Sequence, residues 1–390
     1  HEWFAGARAA LLFETPGEPG TPDLTATGES DSTTGQGVPA QQLALVQVRG
    51  EARLDAAGRW LCGPVLLLGP ADSPAASHSA SWRSRWCASP TDLAGTLPSW
   101  WPGSTALTAG DDVALNLPDA ALSSSTVALD RVSAAGAVLM AAAPGVHLVA
   151  VHESRGTTDL ELAWAVPTEV ELARRASRIL DSQDARRARW QQAWLVDRAS
   201  ARRLVSQDDA TSYLLEFCDR HATLLPSPQL AALLIHQASR TGDRGQTAAA
   251  LAAVDSLPLQ VGVWTGWLAG LACAQASGFR APGPPAGRLP SDPVQSALAQ
   301  VELESVEAQV SGALPSALVH RVARLLGPSL PGLVASALVS AQVWHLTGLL
   351  PEQWELDQGW PVTLGARRDE VERQLVAATC DDETLGWLVW

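Results

Sequence analysis

The feature that most constrains this fold is a change in hydrophobic periodicity at Pro167. In the segment 157–166, the large apolar residues Leu160, Leu162, Trp164 and Val166 occupy alternate positions, which is typical of a strand with one buried face. Beyond Pro167 the apolar spacing is helical and helix-capping residues recur. We therefore predict an α+β protein in which a β-rich N-terminal domain (1–166) is followed by an all-α C-terminal helical domain (167–390). The Gly- and Pro-rich linker 279–291 is a candidate division within the helical domain.

Turn residues separate short apolar segments in the predicted β-rich domain. Three pairs of short apolar segments flank turns, which is typical of hairpins. These pairs are 43–48 with 60–68, 105–108 with 113–117, and 146–151 with 157–166. Two further segments, 15–42 and 71–104, are rich in Gly, Pro, Ser and Thr, and we predict that both are long loops.

Capping signals place helices in the second half of the chain. Thr168 and Glu171 fit a capping box, Ser227-Pro228 fits a helix start, and Gly278 fits a helix end. The predicted helices span 169–180, 183–204, 207–224, 228–240, 244–254, 261–277, 293–311, 315–326, 331–349 and 366–379.

Two stretches without charge, 256–279 and 325–351, raise the possibility of membrane insertion. Ala and Ser dominate them where a membrane span favours Leu, Ile and Phe. Polar residues also interrupt them, namely Gln260, Gln275, Gln342 and His345. We therefore expect buried helices of a soluble bundle. Glycines spaced four apart predict a close helix–helix contact inside this bundle, and they are Gly262, Gly266 and Gly270.

The formal net charge of −14 restricts the partners of the chain. A chain this acidic is a poor general binder of nucleic acids and anionic membranes, so we expect neither. All 27 basic residues are arginine, and 16 residues are tryptophan. This bias is typical of a GC-rich bacterial genome and says nothing about function.

Two clusters are candidate partner-binding surfaces. Four tryptophans within 71–104 would either pack on a sheet or face a protein partner, and they are Trp82, Trp86, Trp100 and Trp101. The segment 174–203 carries nine arginines and three aspartates, a local charge of 9 − 3 = +6, with Arg186 and Arg187 near its centre. This segment could bind an anionic partner. The alternative is an amphipathic helix that buries Trp190 and Trp194 while its arginines are solvated or paired.

No motif of a known catalytic or cofactor site is present. The chain lacks Gly-x-Ser-x-Gly, HExxH, CxxC, a P-loop and a strand-linked GxGxxG. We therefore predict neither a metal nor a cofactor. The candidate catalytic residues are His147, His152 and Glu153, which lie before the predicted domain junction. Neighbouring strand residues point to opposite faces, which argues against a His152–Glu153 pair.

The absence of these motifs favours a non-enzymatic protein-interaction, scaffold or accessory role, with another protein as the partner and a cytoplasmic location. One alternative is a hydrolase-type enzyme with a dispersed site at the domain junction. A second alternative is a membrane-associated component of a complex.

Overall fold

The protein is described by a computed structural model. It covers residues 2–5, 8–14, 42–49, 52–54, 60–62, 81–87, 100, 102, 104–117, 121–133, 136–153, 156–182, 188–221, 227–311, 318, 337–349, 364–378 and 381–390. These residues mix helices and strands, as expected of an α+β protein.

The strands lie before residue 166. They are β1 (Glu2–Ala5), β2 (Arg8–Glu14), β3 (Gln42–Arg49), β4 (Ala52–Leu54), β5 (Trp60–Cys62), β6 (Ser81–Cys87), β7 (Ala106–Thr108), β8 (Val113–Leu115), β9 (Ala121–Ser123), β10 (Val127–Ser133), β11 (Gly136–Ala141), β12 (Gly145–Glu153) and β13 (Gly156–Ala165). Their sheet orders are β1-β2-β3-β6, β4-β5, β10-β11-β8 and β7-β13-β12-β9. The pairing of β7 with β13 is parallel, and the other pairings are antiparallel.

The hairpin predicted from 146–151 and 157–166 is confirmed as β12 and β13, in register from Gly145 opposite Trp164 to Glu153 opposite Gly156. Turn signals were sufficient here because the two strands are adjacent along the chain.

The other two predicted hairpins are wrong. The strand β3 pairs with β2 and β6, whereas β5 pairs with the short strand β4. Likewise β7 and β8 belong to different sheets. The predicted loop 71–104 contains β6. Short apolar segments indicate strands but not their partners, because pairing depends on the register of the whole sheet. The predicted loop 15–42 lies almost wholly outside the described residues.

Helices follow directly after β13. They are α1 (Thr168–Asp181), α2 (Trp190–Ala201), α3 (Gln207–His221), α4 (Pro228–Thr241), α5 (Arg244–Asp255), α6 (Val263–Ser277), α7 (Pro293–Ser311), α8 (Ala337–Thr347), α9 (Leu364–Ala377) and α10 (Asp382–Leu388). The predicted change of structural class is thus confirmed between Ala165 and Thr168. The helix α10 was not predicted, and the predicted helix 315–326 lies outside the described elements.

Local capping explains several helix ends. The Ser227 side chain accepts a hydrogen bond from the Leu230 N–H at the start of α4, and Gly242 ends that helix with a φ of 66°. The capping box predicted for α1 is wrong, since Pro167 is its N-cap and no side chain caps it. Glu171 instead accepts hydrogen bonds from Arg174 and Arg175.

Two hydrophobic clusters form the interior of the described residues. One joins the sheets β10-β11-β8 and β7-β13-β12-β9 and includes Leu139, Leu160 and Trp164. The other joins the helices and includes Trp194 and Phe217. The helix α9 packs against β7 and β13.

The glycine stripe on α6 lies at close contacts. A Cβ on Gly262 would lie 2.8 Å from the Pro228 Cβ, and a Cβ on Gly270 would lie 3.2 Å from a Val254 methyl. Gly266 is less crowded, with its nearest atom at 3.6 Å. Among the described residues, no helix combines the length and apolar character needed to cross a membrane.

Candidate functional site

Two cavities stand out among the described residues. The first, which we call the strand–helix cleft, has a volume of about 400 Å³ and lies where the ends of β7 and β13 meet the helices. The second, which we call the amide pocket, has a volume of about 590 Å³ and lies among the helices alone. Both volumes are within the range of roughly 300–1,000 Å³ that small-molecule sites occupy.

The strand–helix cleft is lined by charges of both signs. Its ionisable lining residues are Glu169, Arg202, Asp369, Glu372 and Arg373. Several of them already have partners in the protein. Glu372 accepts a hydrogen bond from the Thr168 hydroxyl, and the Arg373 Nε–H donates to the Ala106 carbonyl at 3.1 Å. The Arg202 guanidinium donates to the Val389 carbonyl at 3.2 Å. The Arg373 contact joins α9 to β7, and the other two join segments of the helical part to one another.

The amide pocket has a different chemistry. Side-chain amides, indoles, hydroxyls and prolines make up most of its wall, and Glu383 is the sole ionisable residue among its described lining residues. Those lining residues are Trp190, Ser227, Pro228, Gln229, Ser256, Pro258, Gln260, Val261, Gln295, Gln342, Glu383 and Trp387. Each amide offers both donors and an acceptor, and each indole offers a flat apolar surface with one donor.

Two polar groups of the amide pocket are buried without a partner. Gln229 is 2% exposed and Trp387 is 3% exposed. Within the described part of the chain, neither the Gln229 Nε2 nor the Trp387 Nε1 has a hydrogen-bond partner. Leaving a buried donor unpaired costs about 1–3 kcal/mol, so native proteins seldom retain one without a reason. By contrast, Gln295 donates to the Gln342 side chain at 2.8 Å.

The short helix α10 positions one wall of the amide pocket. Asp381 caps it by accepting a hydrogen bond from the Thr384 N–H at 2.7 Å. The buried Trp194 indole donates to the Gly386 carbonyl at 2.9 Å, which fastens α10 to α2. Because Glu383 and Trp387 are four residues apart, they lie on the same face of α10, and both line the pocket.

The environment of Glu383 favours its protonated form. Burial and the nearby Asp381 carboxylate raise the pKa of Glu383 above its usual value, while a hydrogen bond from Gln191 opposes that change. A carboxyl group with a raised pKa in a cavity can donate a proton to a bound molecule.

The aromatic layer behind the pocket contains a buried histidine. The Trp387 and Trp390 rings are stacked with centroids 5.1 Å apart, and His345 contacts both rings. Burial, together with the Arg368 charge, lowers the pKa of His345 to about 3. This imidazole is therefore neutral near pH 7.

Neither His147 nor His152 is among the described lining residues of the two cavities. The His147 Nε2–H donates to the Ala143 carbonyl at 2.9 Å, and the His152 Nε2 lies 2.9 Å from the Ser123 hydroxyl. The two histidines are five positions apart on β12, a distance of about 17 Å at the usual rise of a strand. Glu153 is the last residue of β12. The structure therefore does not bring the two histidines together.

The candidate partner-binding residues are dispersed. Trp100 is 4% exposed and belongs to the hydrophobic cluster that joins the sheets β10-β11-β8 and β7-β13-β12-β9. Trp82 and Trp86 lie on β6. Trp101, Arg186 and Arg187 lie outside the described residues.

Described arginines of the segment 174–203 are largely engaged within the protein. Arg175 pairs with Glu171 and with Asp382 at 2.9 Å. The Arg198 Nε–H donates to the Val389 carbonyl at 2.9 Å. This arrangement agrees with the amphipathic alternative, in which Trp194 is buried and the arginines are paired.

The amide pocket itself was missed by sequence reasoning, because its lining residues come from widely separated segments. The available signal was the presence of Gln260 and Gln342 in stretches without charge. An amide in an otherwise apolar helix needs a partner, and both residues line the pocket.

Comparison with known proteins found one distant structural similarity and no match in sequence. No family model matches the sequence, and no curated protein matches it. One solved structure, a polysaccharide lyase, is similar at 12% sequence identity with a TM-score of 0.46. The match covers 97% of this chain, which spans 61% of that protein's length.

This finding contradicts the non-enzymatic interaction or scaffold role predicted from the sequence, because the structural neighbour is an enzyme by its title. The absence of local motifs was a poor guide to that role, since catalytic residues are often dispersed along a chain. The likeness is too distant to assign a fold, a substrate or a reaction, so the function below is argued from the amide pocket alone.

Proposed function

We propose that this chain is an enzyme that binds a neutral carbohydrate in the amide pocket and uses Glu383 as a proton donor. The observation that supports this proposal is the lining of the pocket, whose described residues surround the Glu383 carboxyl group with amides and indoles. A carbohydrate presents hydroxyl groups, each of which donates and accepts hydrogen bonds, together with apolar C–H surfaces.

The unpaired donors favour a ligand rich in oxygen. The Gln229 Nε2 and Trp387 Nε1 groups both need acceptors, and sugar hydroxyl and ring oxygens can supply them. A bound acceptor would remove the cost of leaving these donors unpaired.

The charge of the pocket favours a neutral ligand. No arginine or histidine occurs among the described lining residues. An anionic sugar would therefore lose water without gaining an ion pair, which is unfavourable in a partly buried site. A neutral saccharide avoids this penalty.

Glu383 is the group that makes the site chemically active. In its protonated form it can donate to the glycosidic oxygen as the bond to the anomeric carbon breaks. Water then adds to the anomeric carbon and returns a proton, so that two hydroxyl groups replace one glycosidic bond. The class of reaction is thus hydrolysis.

The test combines binding with turnover. Neutral oligosaccharides are screened by calorimetry, and release of reducing ends is measured for those that bind. We expect Glu383→Gln to retain binding and to lose turnover by roughly 10²–10⁴-fold. Glu169→Gln, in the strand–helix cleft, is the matched control and should retain both. Binding of no neutral saccharide, or full turnover by Glu383→Gln, would contradict the proposal.

We further propose that 1–166 and 167–390 are separate domains, because the described strands and helices have hydrophobic clusters of their own. The fragment 167–390, expressed alone, should unfold cooperatively and bind the same saccharide. A fragment that lacks cooperative unfolding would contradict this division.

A further inference from the structure

A buried carboxyl group lies behind the wall of the amide pocket. Glu302, on α7, is 0% exposed. Its carboxylate accepts hydrogen bonds from the Gly262 N–H at 2.7 Å, the Thr265 N–H at 3.1 Å and the Thr265 hydroxyl at 2.7 Å. The first N–H groups of a helix have no partner within it. Glu302, on a neighbouring helix, therefore accepts hydrogen bonds from N–H groups at the start of α6.

Gly262 connects this carboxylate to the pocket wall. Its φ of 91° is in the left-handed region, and a Cβ there would lie 2.8 Å from the Pro228 Cβ and 3.0 Å from the Trp387 Cη2. Pro228 and Trp387 both line the pocket, as does Val261 immediately before Gly262. Since these contacts leave no free space, a displacement of Gly262 must move its neighbours.

We propose that Glu302 is a positioning residue that makes ligand binding in the amide pocket depend on pH. As a carboxylate it holds the start of α6 against Pro228 and Trp387, and its protonation releases that contact. The inference rests on the proposed function, because the wall that Glu302 positions belongs to the proposed saccharide site.

The hydrogen-bond pattern explains why protonation matters. The backbone groups that face Glu302 are donors, and the Thr265 hydroxyl also donates to it. A protonated carboxyl group brings a donor of its own, so the Thr265 hydroxyl must turn to accept or one N–H contact must lengthen. Burial raises the pKa of Glu302 to about 7, although these hydrogen bonds favour the charged form. The change therefore occurs near neutral pH.

Other titratable groups close to this wall can be separated from Glu302. The groups that shift the pKa of Glu302 within the described residues are hydrogen-bond donors of α6, without a charged side chain. From α8, His345 contacts Trp387 and Trp390, but its pKa of about 3 keeps it neutral at pH 7. On α10 and at its N-cap, Glu383 and Asp381 are further titratable groups near Trp387, and burial with the Asp381 charge raises the pKa of Glu383. Glu383 therefore needs a control variant.

The first experiment measures how the environment of Trp387 and Trp390 changes with pH in the absence of a ligand. The full chain is labelled with 5-fluorotryptophan, and the Trp387 and Trp390 fluorine resonances are assigned with Trp387→Phe and Trp390→Phe. We expect both resonances to titrate with a midpoint of about 7. The titration should vanish in Glu302→Gln and persist in Glu383→Gln.

Thr265→Val provides a second variant in case Glu302→Gln does not fold. It removes one hydrogen bond to the charged form while retaining a branched side chain of similar size. The midpoint should rise, because losing a hydrogen bond to a carboxylate disfavours ionisation. A merely structural role for Thr265 would change the stability and leave the midpoint in place.

The second experiment measures saccharide affinity against pH. We expect binding by the wild type to be roughly fivefold weaker at about pH 6 than at about pH 8, and Glu302→Gln to lose that dependence. The inference would be overturned by fluorine resonances that do not titrate near neutral pH, or by a titration that persists unchanged in Glu302→Gln. Resonances that titrate as expected support the inference even where no saccharide binds, and that result would count against the proposed function alone.

Discussion

The strand–helix cleft and the amide pocket are similar in size but differ in how their polar groups are used. In the cleft, Arg373 donates to a strand carbonyl and Glu372 accepts from Thr168, so charged side chains of α9 bind it to β7 and to α1. In the amide pocket, the Gln229 and Trp387 donors have no partner among the described residues. The cleft also has one unpaired buried donor among the described residues, the Trp344 Nε1. The two cavities therefore differ chiefly in the charged groups of the cleft, which are bonded within the protein.

The largest expected effect concerns the crowded wall of the amide pocket. Gly262→Ala should lower the free energy of unfolding by roughly 4 kcal/mol, because left-handed backbone strain adds to overpacking against Pro228 and Trp387. Gly278 is the matched control, since its φ is also positive, at 69°, but a Cβ there meets nothing within 4 Å. Gly278→Ala should cost about 1 kcal/mol in the same chemical denaturation experiment. Equal losses would show that the wall is not crowded.

The next effect is a pH dependence of stability that arises behind the pocket. Burial raises the pKa of Glu302 in the folded state from 4.5 to about 7. The contribution of Glu302 to the free energy of unfolding is therefore fully present below pH 4.5 and is lost as the pH rises through 7. The free energy of unfolding of the wild type, relative to Glu302→Gln, should fall by roughly 3 kcal/mol across that interval. Denaturant titrations at several pH values measure it. A difference that stays constant or increases with pH would contradict the assignment.

A smaller effect is expected in the strand–helix cleft. Arg373→Met removes the hydrogen bond to the Ala106 carbonyl and should lower the free energy of unfolding by roughly 1–2 kcal/mol. Saccharide affinity should not change, because Arg373 does not line the amide pocket. The exposed Arg288 is the control, and Arg288→Met should leave the midpoint of thermal unfolding unchanged. Weakened saccharide binding in Arg373→Met would undermine the distinction between the two cavities.

The smallest effect on stability is expected at Gln229. Gln229→Met keeps a similar shape and removes an unpaired buried donor, so the free energy of unfolding should change by less than about 0.5 kcal/mol or rise. Saccharide affinity should nevertheless fall by roughly tenfold. The exposed Gln275 allows the same substitution outside the pocket, and Gln275→Met should bind normally. A large loss of stability in Gln229→Met would mean that its amide already has a partner.

Local signals predicted the helices well and the strand pairing poorly. The helix predicted over 228–240 is found as Pro228–Thr241, because Ser227 and Gly242 specify its ends within a few residues. The pairing of β3 with β2 and β6 was not predicted, since long intervening segments separate these strands. The capping box of α1 failed because Glu171 is taken by Arg174 and Arg175.

The amide pocket could not be predicted from local sequence. Its lining residues extend from Trp190 to Trp387, and no short spacing relates them. Packing between helices brings these residues together, with Trp194 fastening α10 in place. The histidines that the sequence favoured are reactive residue types, but β12 holds them far apart. Residue type alone thus identified reactive groups without identifying the cavity.

The most direct test of this account is a calorimetric titration of the full chain with a neutral oligosaccharide and with the uronate of the same linkage and length. The account predicts that the neutral sugar binds, that the uronate binds at least roughly tenfold more weakly, and that Gln229→Met loses most of the affinity for the neutral sugar. Equal or tighter binding of the uronate, or undiminished binding by Gln229→Met, would contradict the assignment of a neutral carbohydrate to the amide pocket.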